Sequence, residues 1–281
     1  MRLSVVVPSR RRPALLHAAL ASVGTQTRPP DEVVVVNDGG PVADAPFAEL
    51  RAVAAPCRLR VTCLGASVGH VAARTLAVSM TAGEAVALLD DDDLWLTDHA
   101  ADLLAALDAG ADLAYSDAEL VYVDRAAGLP MPVLGRRLFA LDADPAFARR
   151  YNPVVPSAMA LRRDLYERLG GFRAASGHHW DWDFLLRAIA AGARIQRVAR
   201  ATIVYTLDRG GGNQSARAGE MRDSVRALAR RHGLASDAVH TFWTMLDEPD
   251  VAGRLAASER PWSGAWPGVL AAATRPRRRP D

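Results

Sequence analysis

The first part of the chain alternates short apolar runs with longer stretches whose apolar residues recur at helical spacing. The apolar runs are continuous, which is typical of strands buried on both faces of a parallel sheet. Pro13 and Gly24 mark the two ends of the first predicted helix. The pattern therefore predicts a βαβα arrangement in which helices flank a mostly parallel sheet. The predicted strands cover residues 3–7, 32–36, 59–64 and 85–89, and the predicted helices cover residues 13–23, 43–53 and 68–80.

The pattern changes near residue 111, which predicts a second half with a binding surface of its own. Beyond residue 216 the pattern is helical and ends in a tail rich in Trp, Pro and Arg. We therefore predict two halves of one domain, 1–110 and 111–215, and a helical extension, 216–281, with a disordered basic end. The further predicted elements are strands at residues 112–115, 120–123, 155–161, 194–198 and 202–205 and a helix at residues 181–191.

Four consecutive aspartates, Asp90 to Asp93, directly follow the apolar run at residues 85–89. Adjacent carboxylates stay ionised together only where water or a cation neutralises them. The run therefore indicates a divalent metal site at the end of a strand. The alternative is a solvated acidic loop before the helix that starts near Thr97, because runs of like charge are usually solvated.

Polar segments follow three of the predicted strands, at residues 8–12, 37–40 and 90–93. In open parallel sheets, ligands bind beyond the carboxyl ends of the strands, where the connections diverge. We therefore expect these three segments to meet at one edge of the sheet and to form one site.

Composition narrows the function classes without identifying one. Half of the 281 residues are apolar, so the chain can bury one large core. All 34 basic residues are arginine and 32 acids offset them; because the arginines are scattered, we expect no nucleic-acid partner. Cys57 and Cys63 are too few for a disulfide framework and have no partners for a zinc site. A strand at the amino terminus and the lack of a spanning apolar stretch predict a soluble, cytoplasmic protein without a membrane span.

Five short motifs stand in the same order as in a known family of enzymes. They are an opening strand at residues 4–9, a Gln-Thr helix end at 21–27, an Asn-Asp-Gly turn at 35–39, a Gly-Glu-apolar-Asp stretch at 83–95 and a Trp-Asp-Trp-Asp helix start at 180–187. On these motifs the chain, from about residue 3 to residue 215, resembles the family 2 glycosyltransferases. These are inverting, nucleotide-sugar-dependent enzymes of the GT-A type.

The resemblance implies a GT-A, Rossmann-like mixed sheet, mostly parallel and flanked by helices, with a C-terminal helical extension. It also implies that residues 1–110 bind a nucleoside diphosphate sugar, expected to be UDP-linked, and that residues 111–215 bind an acceptor hydroxyl. Such a donor leaves as a diphosphate, whose charge is neutralised by Mn²⁺ or Mg²⁺ held by carboxylates.

On the donor side, the resemblance assigns Asp92 as the direct metal ligand. Asp91 would contact the ribose or metal-bound water, and Asp90 and Asp93 would lie behind the ligand or face the sugar. The unbroken run leaves open which aspartate is the ligand. Asp38 matches the position that accepts a hydrogen bond from uracil, with an Asx turn as the alternative. The further donor-binding candidates are Pro8, Ser9, Arg10, Arg12 and Arg74.

On the acceptor side, the resemblance assigns Asp181 as the base that takes the proton from the acceptor hydroxyl. The alternative is that Asp181 only caps its helix, which contributes on the order of 1 kcal/mol to stability. Trp180 and Trp182 are candidates for a platform under the acceptor sugar, and His179 for a further contact. The alternative for both tryptophans is a place in the core, where large aromatic side chains are common.

Three positions depart from the family pattern. Trp180 replaces the acid that usually precedes the base, and Asn37 replaces the first acid of the turn. Residues 208–215 match the family's Gly-Gly-Asn-x-Ser loop without the histidine that often serves as a further metal ligand. The third ligand therefore stays open; His178 or His179 is a candidate, and the favoured alternative is that both are surface or acceptor-loop histidines.

Other functions remain as alternatives. A nucleotidyltransferase on a similar sheet would have a Gly-rich phosphate loop after the first strand, and residues 9–12 contain no glycine. A non-catalytic sugar-binding relative is favoured by Trp180 and disfavoured by Asp181 together with the acidic run. A hydrolase with two carboxylates would need neither Asp38 nor a metal.

The tail and the partners are the least specified by the sequence. Trp262, Trp266 and the arginines at residues 275–279 predict a disordered end, with contact to an anionic membrane surface or a partner as the alternative. The sequence leaves open the donor sugar, the acceptor and whether the chain forms an oligomer.

Overall fold

Four parallel strands joined by helices form the first half of the sheet. Their β-branched residues favour the extended conformation. The strands are β1 (Leu3–Ser9), β2 (Glu32–Asp38), β3 (Arg58–Leu64) and β4 (Ala85–Leu88), and the helices are α1 (Pro13–Gly24), α2 (Phe47–Ala54) and α3 (His70–Ser79). β1 pairs with β2 and β4, and β2 pairs with β3, all in parallel. This computed structural model describes residues 1–40, 47–210, 218–234, 245–266 and 268–271 and confirms the predicted fold class.

The second half extends the same sheet with antiparallel strands and with two long strands that pair in parallel. Its elements are β5 (Leu94–Trp95), α4 (His99–Asp108), β6 (Leu113–Val123), β7 (Met131–Phe139), α5 (Pro145–Ala148), β8 (Met159–Arg162), α6 (Arg163–Arg168), α7 (Trp180–Ala190) and β9 (Ile195–Asp208). β8 lies antiparallel between β4 and β6 and joins the two halves. One edge of β6 pairs with β8 and then β7, and its other edge pairs along its whole length with β9.

β6 and β9 are each one strand where the sequence predicts two. Polar residues interrupt both apolar patterns, and the register between β6 and β9 shifts at Asp117. Asp117 is nevertheless buried, because Arg197 on β9 donates to both of its carboxylate oxygens at 2.7 and 2.6 Å. Because this ion pair neutralises the charge of Asp117, both strands continue past the polar residues that interrupt their apolar patterns.

The C-terminal segment is only partly helical in the described residues. It contains α8 (Ala218–His232), α9 (Pro249–Ala252) and the two-residue strand β10 (Leu270–Ala271), which pairs in parallel with β7. Trp262 is 5% exposed and packs with Val121 and Leu270. The loop at residues 211–217 and the arginines at 275–279 lie outside the described residues, and the domain division stays a prediction. None of the helices in the described parts of the chain has both the length and the apolar composition to cross a bilayer.

The core lies on both faces of the sheet. In β1, Val5 and Val7 pack in one apolar cluster with Leu20 of α1 and Leu103 of α4. Val6 packs in a second cluster on the other face, which includes the apolar residues of α3 and α7. The continuous valine run therefore reflects burial of alternate residues against two helical layers, and each buried valine contributes about 1.5–3 kcal/mol.

Candidate active site

The site begins with Asp38, the last residue of β2. Its carboxylate accepts hydrogen bonds from the hydroxyl of Ser67 at 2.7 Å and the backbone N–H groups of Val68 at 2.6 Å and Gly69 at 3.0 Å. Gly69 has a φ of 90°, a backbone conformation that favours glycine. Asp38 thus contacts the loop before α3 rather than only its own turn, which differs from the Asx-turn alternative.

The acidic run is joined to the end of β1 through Asp91. Its carboxylate accepts hydrogen bonds from the Ser9 hydroxyl at 2.7 Å, the Arg10 backbone N–H at 3.3 Å and the Arg12 guanidinium at 3.2 Å. Burial, together with the charge of Asp92, raises the pKa of Asp91 to about 7. The Arg10 side chain is exposed and Pro8 lies within β1, and both stay predicted contacts of the donor.

Asp90, Asp92 and Asp93 form a carboxylate cluster in which one oxygen of each lies within 4.8 Å of the others. Asp93 is buried and accepts hydrogen bonds from the Ser157 hydroxyl at 2.5 Å and the Thr206 backbone N–H at 3.0 Å. Burial raises the pKa values of Asp90 and Asp93 above the ordinary range. The cluster suits a divalent cation such as Mg²⁺ or Mn²⁺, because it offers only hard oxygen ligands.

Two guanidinium groups contact the Asp92 carboxylate of this cluster. Arg12 donates to Oδ2 of Asp92 at 2.9 Å, and Arg125 donates to the same oxygen at 2.6 Å. Arg125 lies in the short 3₁₀ turn that follows β6, so Asp92 is bound from both halves of the sheet.

Arg74 connects the carboxylate cluster to the helix that carries the predicted base. It lies on α3, is 2% exposed and forms an ion pair with Asp90. Its guanidinium carbon also lies 4.1 Å from the ring centre of Trp180, the first residue of α7. A buried cation that contacts both groups brings Asp90 and the amino end of α7 to the same place.

Asp181 is the second residue of α7 and is 7% exposed. The side-chain amide of Asn152 donates to its Oδ2 at 2.7 Å. Burial raises the pKa of Asp181 to about 6, although the Asn152 hydrogen bond opposes this shift. His179 occupies the position before the helix, so Asp181 is not the N-cap residue. A buried carboxyl group with this pKa suits proton transfer near neutral pH.

The other acceptor-side candidates lie mostly against protein. Trp182 is buried, donates from its indole nitrogen to the backbone of Ala148 at 2.6 Å and packs with Leu228 of α8, which favours the core alternative. His179 hydrogen-bonds the hydroxyl of Ser224 on α8 at 2.8 Å. His178 stacks on His70 at 5.8 Å, and neither histidine joins the carboxylate cluster among the described residues.

Sequence reasoning missed four residues of the site: Arg125, Asn152, Ser157 and Thr206. Each contacts one of the predicted aspartates from the second half of the chain. Arg125 and Thr206 have a signal in the sequence, because they follow the predicted strands at residues 120–123 and 202–205, where the same strand-end argument applies. Asn152 and Ser157 have no such signal.

Comparison with known proteins agrees with this arrangement. The family model for Glycosyl transferase family 2 matches residues 4–170. The chain is 35% identical over 265 residues to a protein of Bacillus subtilis strain 168 named "Uncharacterized glycosyltransferase YwdF", with 94% of this chain and 96% of that protein covered.

Solved structures with a similar fold include S. aureus TarS 1–349, with a TM-score of 0.60 and 21% identity. The match covers 82% of this chain and 65% of that chain. A second is the mannosyltransferase PcManGT from Pyrobaculum calidifontis in complex with GDP-Man and Mn²⁺, with a TM-score of 0.57, 20% identity and coverage of 82% and 64%. TarS 1–349 has also been solved with UDP-GlcNAc. These matches confirm the expected GT-A fold.

Proposed function

The chain belongs to glycosyl transferase family 2 and is a glycosyltransferase, and we propose that it transfers a sugar with inversion from a nucleoside diphosphate sugar to an acceptor hydroxyl with the help of a divalent cation. The observation that carries the proposal is the double contact of Arg74, with Asp90 on one side and Trp180 beside Asp181 on the other. The two carboxylate groups that the reaction needs therefore lie at one site. Among solved structures of the same fold, TarS 1–349 is in complex with UDP-GlcNAc and PcManGT with GDP-Man and Mn²⁺, which supports the substrate class.

The carboxylate cluster fits a divalent cation. Its oxygens lie within 4.8 Å of one another, and hard oxygen ligands are those that Mn²⁺ and Mg²⁺ prefer. Asp93 is buried and each of its oxygens accepts a hydrogen bond, from Ser157 or Thr206, so the more exposed Asp92 and Asp90 would hold the ion. When bound, the cation supplies neutralisation of the charge that develops on the departing diphosphate.

The other proposed donor contacts lie at the ends of β1 and β2. Asp38 lies at the end of β2, where its carboxylate is held by the loop at residues 67–69 and is available for the nucleoside. Arg12 lies beside Asp91 and Asp92, where its guanidinium suits a phosphate oxygen. UDP is our expected nucleotide, with GDP as the comparison.

Asp181 accepts the proton of the acceptor hydroxyl in the proposed reaction. As the hydroxyl oxygen bonds to the anomeric carbon, the bond from that carbon to the diphosphate oxygen breaks, and the proton passes to a carboxylate oxygen of Asp181. A single displacement of this kind inverts the configuration of the sugar. Asn152 holds Oδ2 of Asp181 and thereby fixes the orientation of the carboxylate.

Two isosteric substitutions separate donor binding from proton transfer. We expect Asp92→Asn to abolish the Mn²⁺-dependent part of donor binding, because it removes a ligand charge. Asp181→Asn should leave donor affinity within about twofold and lower kcat by roughly 10²–10⁴-fold, the usual contribution of a general base. Calorimetry with UDP and GDP, with and without Mn²⁺, measures binding, and sugar release from nucleotide sugars measures turnover.

Asp164→Asn is the matched control, because the Asp164 side chain is exposed and its carboxylate contacts surface arginines and the adjacent backbone N–H of Leu165. It should leave both quantities unchanged. Unchanged Mn²⁺-dependent affinity in Asp92→Asn would contradict the metal assignment, and full turnover in Asp181→Asn would contradict the assignment of the base.

A further inference from the structure

Arg125 contacts the carboxylate cluster although no sequence motif identifies it. Its guanidinium lies against Oδ2 of Asp92, the oxygen that also accepts from Arg12. Its side chain is only 14% exposed, and its Nε is buried without a hydrogen-bond partner in the described part of the chain. Its backbone N–H donates to Asp208 at the end of β9, which ties the turn in place.

The two arginines on Asp92 differ in what else they contact. Because Arg12 also donates to Asp91, it keeps a carboxylate partner when a metal cation binds Asp92. The Arg125 side chain contacts one neutral group, the Thr206 hydroxyl at 3.0 Å, and Asp92 is its only carboxylate partner among the described residues. A divalent cation bound to Asp92 would therefore leave Arg125 as a largely buried cation without an anion, which is energetically costly.

We propose that Arg125 is a counter-ion that changes partner: it neutralises Asp92 before the substrates bind and contacts the diphosphate of the donor once a cation occupies Asp92. This inference rests on the proposed function. A diphosphate brings the missing negative charge to the same place, and Nε together with Nη2 provides the two parallel donors that guanidinium groups offer to phosphate. Arg125 thus makes cation binding and diphosphate binding depend on each other.

The test is a pair of affinities that move in opposite directions. In Arg125→Gln, Mn²⁺ alone should bind about fivefold more tightly, because the competing ion pair is gone. UDP or GDP in saturating Mn²⁺ should bind about tenfold more weakly, because a charged hydrogen bond to phosphate is lost. Electron paramagnetic resonance of free Mn²⁺ measures the first affinity, and calorimetry measures the second.

Arg125→Lys keeps the charge but not the paired donors, so it should bind Mn²⁺ like the wild type and the nucleotide with intermediate affinity. The Lys variant also keeps the test valid if the Gln variant does not fold. Arg137→Gln is the control, because Arg137 forms its ion pair with Asp247, at 2.7 Å, and not with the carboxylate cluster. This variant should change neither affinity.

Equal changes of both affinities in Arg125→Gln, or no rise in Mn²⁺ affinity, would overturn the exchange of partners. Nucleotide binding by the wild type distinguishes this result from failure of the proposed function. If the wild type binds neither UDP nor GDP in Mn²⁺, the proposed function fails together with the inference. If the wild type binds and only the opposite shifts are missing, the inference alone fails.

Discussion

The basicity of Asp181 comes from burial, which raises its pKa to about 6. The carboxylate accepts a proton only when ionised, so the proposed reaction slows as the pH falls below this value. We expect kcat to fall about tenfold per pH unit below pH 6 and to level off above it. Steady-state rates between pH 4.5 and 8 with saturating nucleotide sugar and Mn²⁺ measure this profile.

Asn152 provides the variant that tests the origin of this profile. Its amide donates to the ionised form of Asp181, so Asn152→Ala removes a contact that lowers the pKa. The acid limb of kcat should therefore move to higher pH, whereas donor affinity should not change. An acid limb at the same pH in both proteins would show that another group controls the rate.

The orientation of α7 depends on α8 through a buried ion cluster around Asp183. Asp183 is fully buried and contacts Arg187 at 2.9 Å, Arg231 at 3.2 Å and His232 at 2.9 Å. Burial raises the pKa of its carboxyl group, but the hydrogen bonds from His232, Arg187 and Arg231 and the charge of Arg187 outweigh burial and lower the pKa. The cluster therefore connects Asp183, two residues after Asp181, to α8.

Asp183→Asn should lower the free energy of unfolding by about 3–5 kcal/mol, because it leaves buried cations without their anion. Denaturant unfolding measures this change. Asp164→Asn, which breaks only exposed pairs, should cost less than about 1 kcal/mol and serves as the control. Equal small losses in both variants would mean that the buried cluster does not stabilise the contact between α7 and α8.

The elements that the sequence predicts correctly are those whose pattern is local. β1, β2 and β4 appear as runs of apolar residues because both faces of each strand are covered. β6 and β9 appear as fragments because their polar interruptions are neutralised by a partner distant in sequence, Arg197 for Asp117. β10 is two residues long and too short for any periodic signal.

The same limit applies to the site as a whole. Asp38, the acidic run and Asp181 can be located from motifs at strand and helix ends, whereas Asn152 and Ser157 become recognisable only through their contacts in the folded chain. The site residues of the first half follow one topological rule, that the carboxyl ends of parallel strands converge. Arg125 and Thr206 of the second half obey the same rule, because they lie near the carboxyl ends of β6 and β9, which pair in parallel. Asn152 and Ser157 lie in connecting segments, to which the rule does not apply.

At the scale of the whole molecule, substrate binding should appear as increased stability. A ligand that binds only the folded chain at 100 times its Kd adds about 2.7 kcal/mol, which corresponds to a rise in Tm of roughly 5–10 °C for a chain of this size. We expect UDP-sugars or GDP-sugars to produce this rise in thermal unfolding when Mn²⁺ is present and to lose most of it in EDTA. Asp92→Asn should show no Mn²⁺-dependent part, whereas Asp181→Asn should retain it. An equal rise in EDTA and in Mn²⁺ would mean that the carboxylate cluster does not couple a cation to the donor.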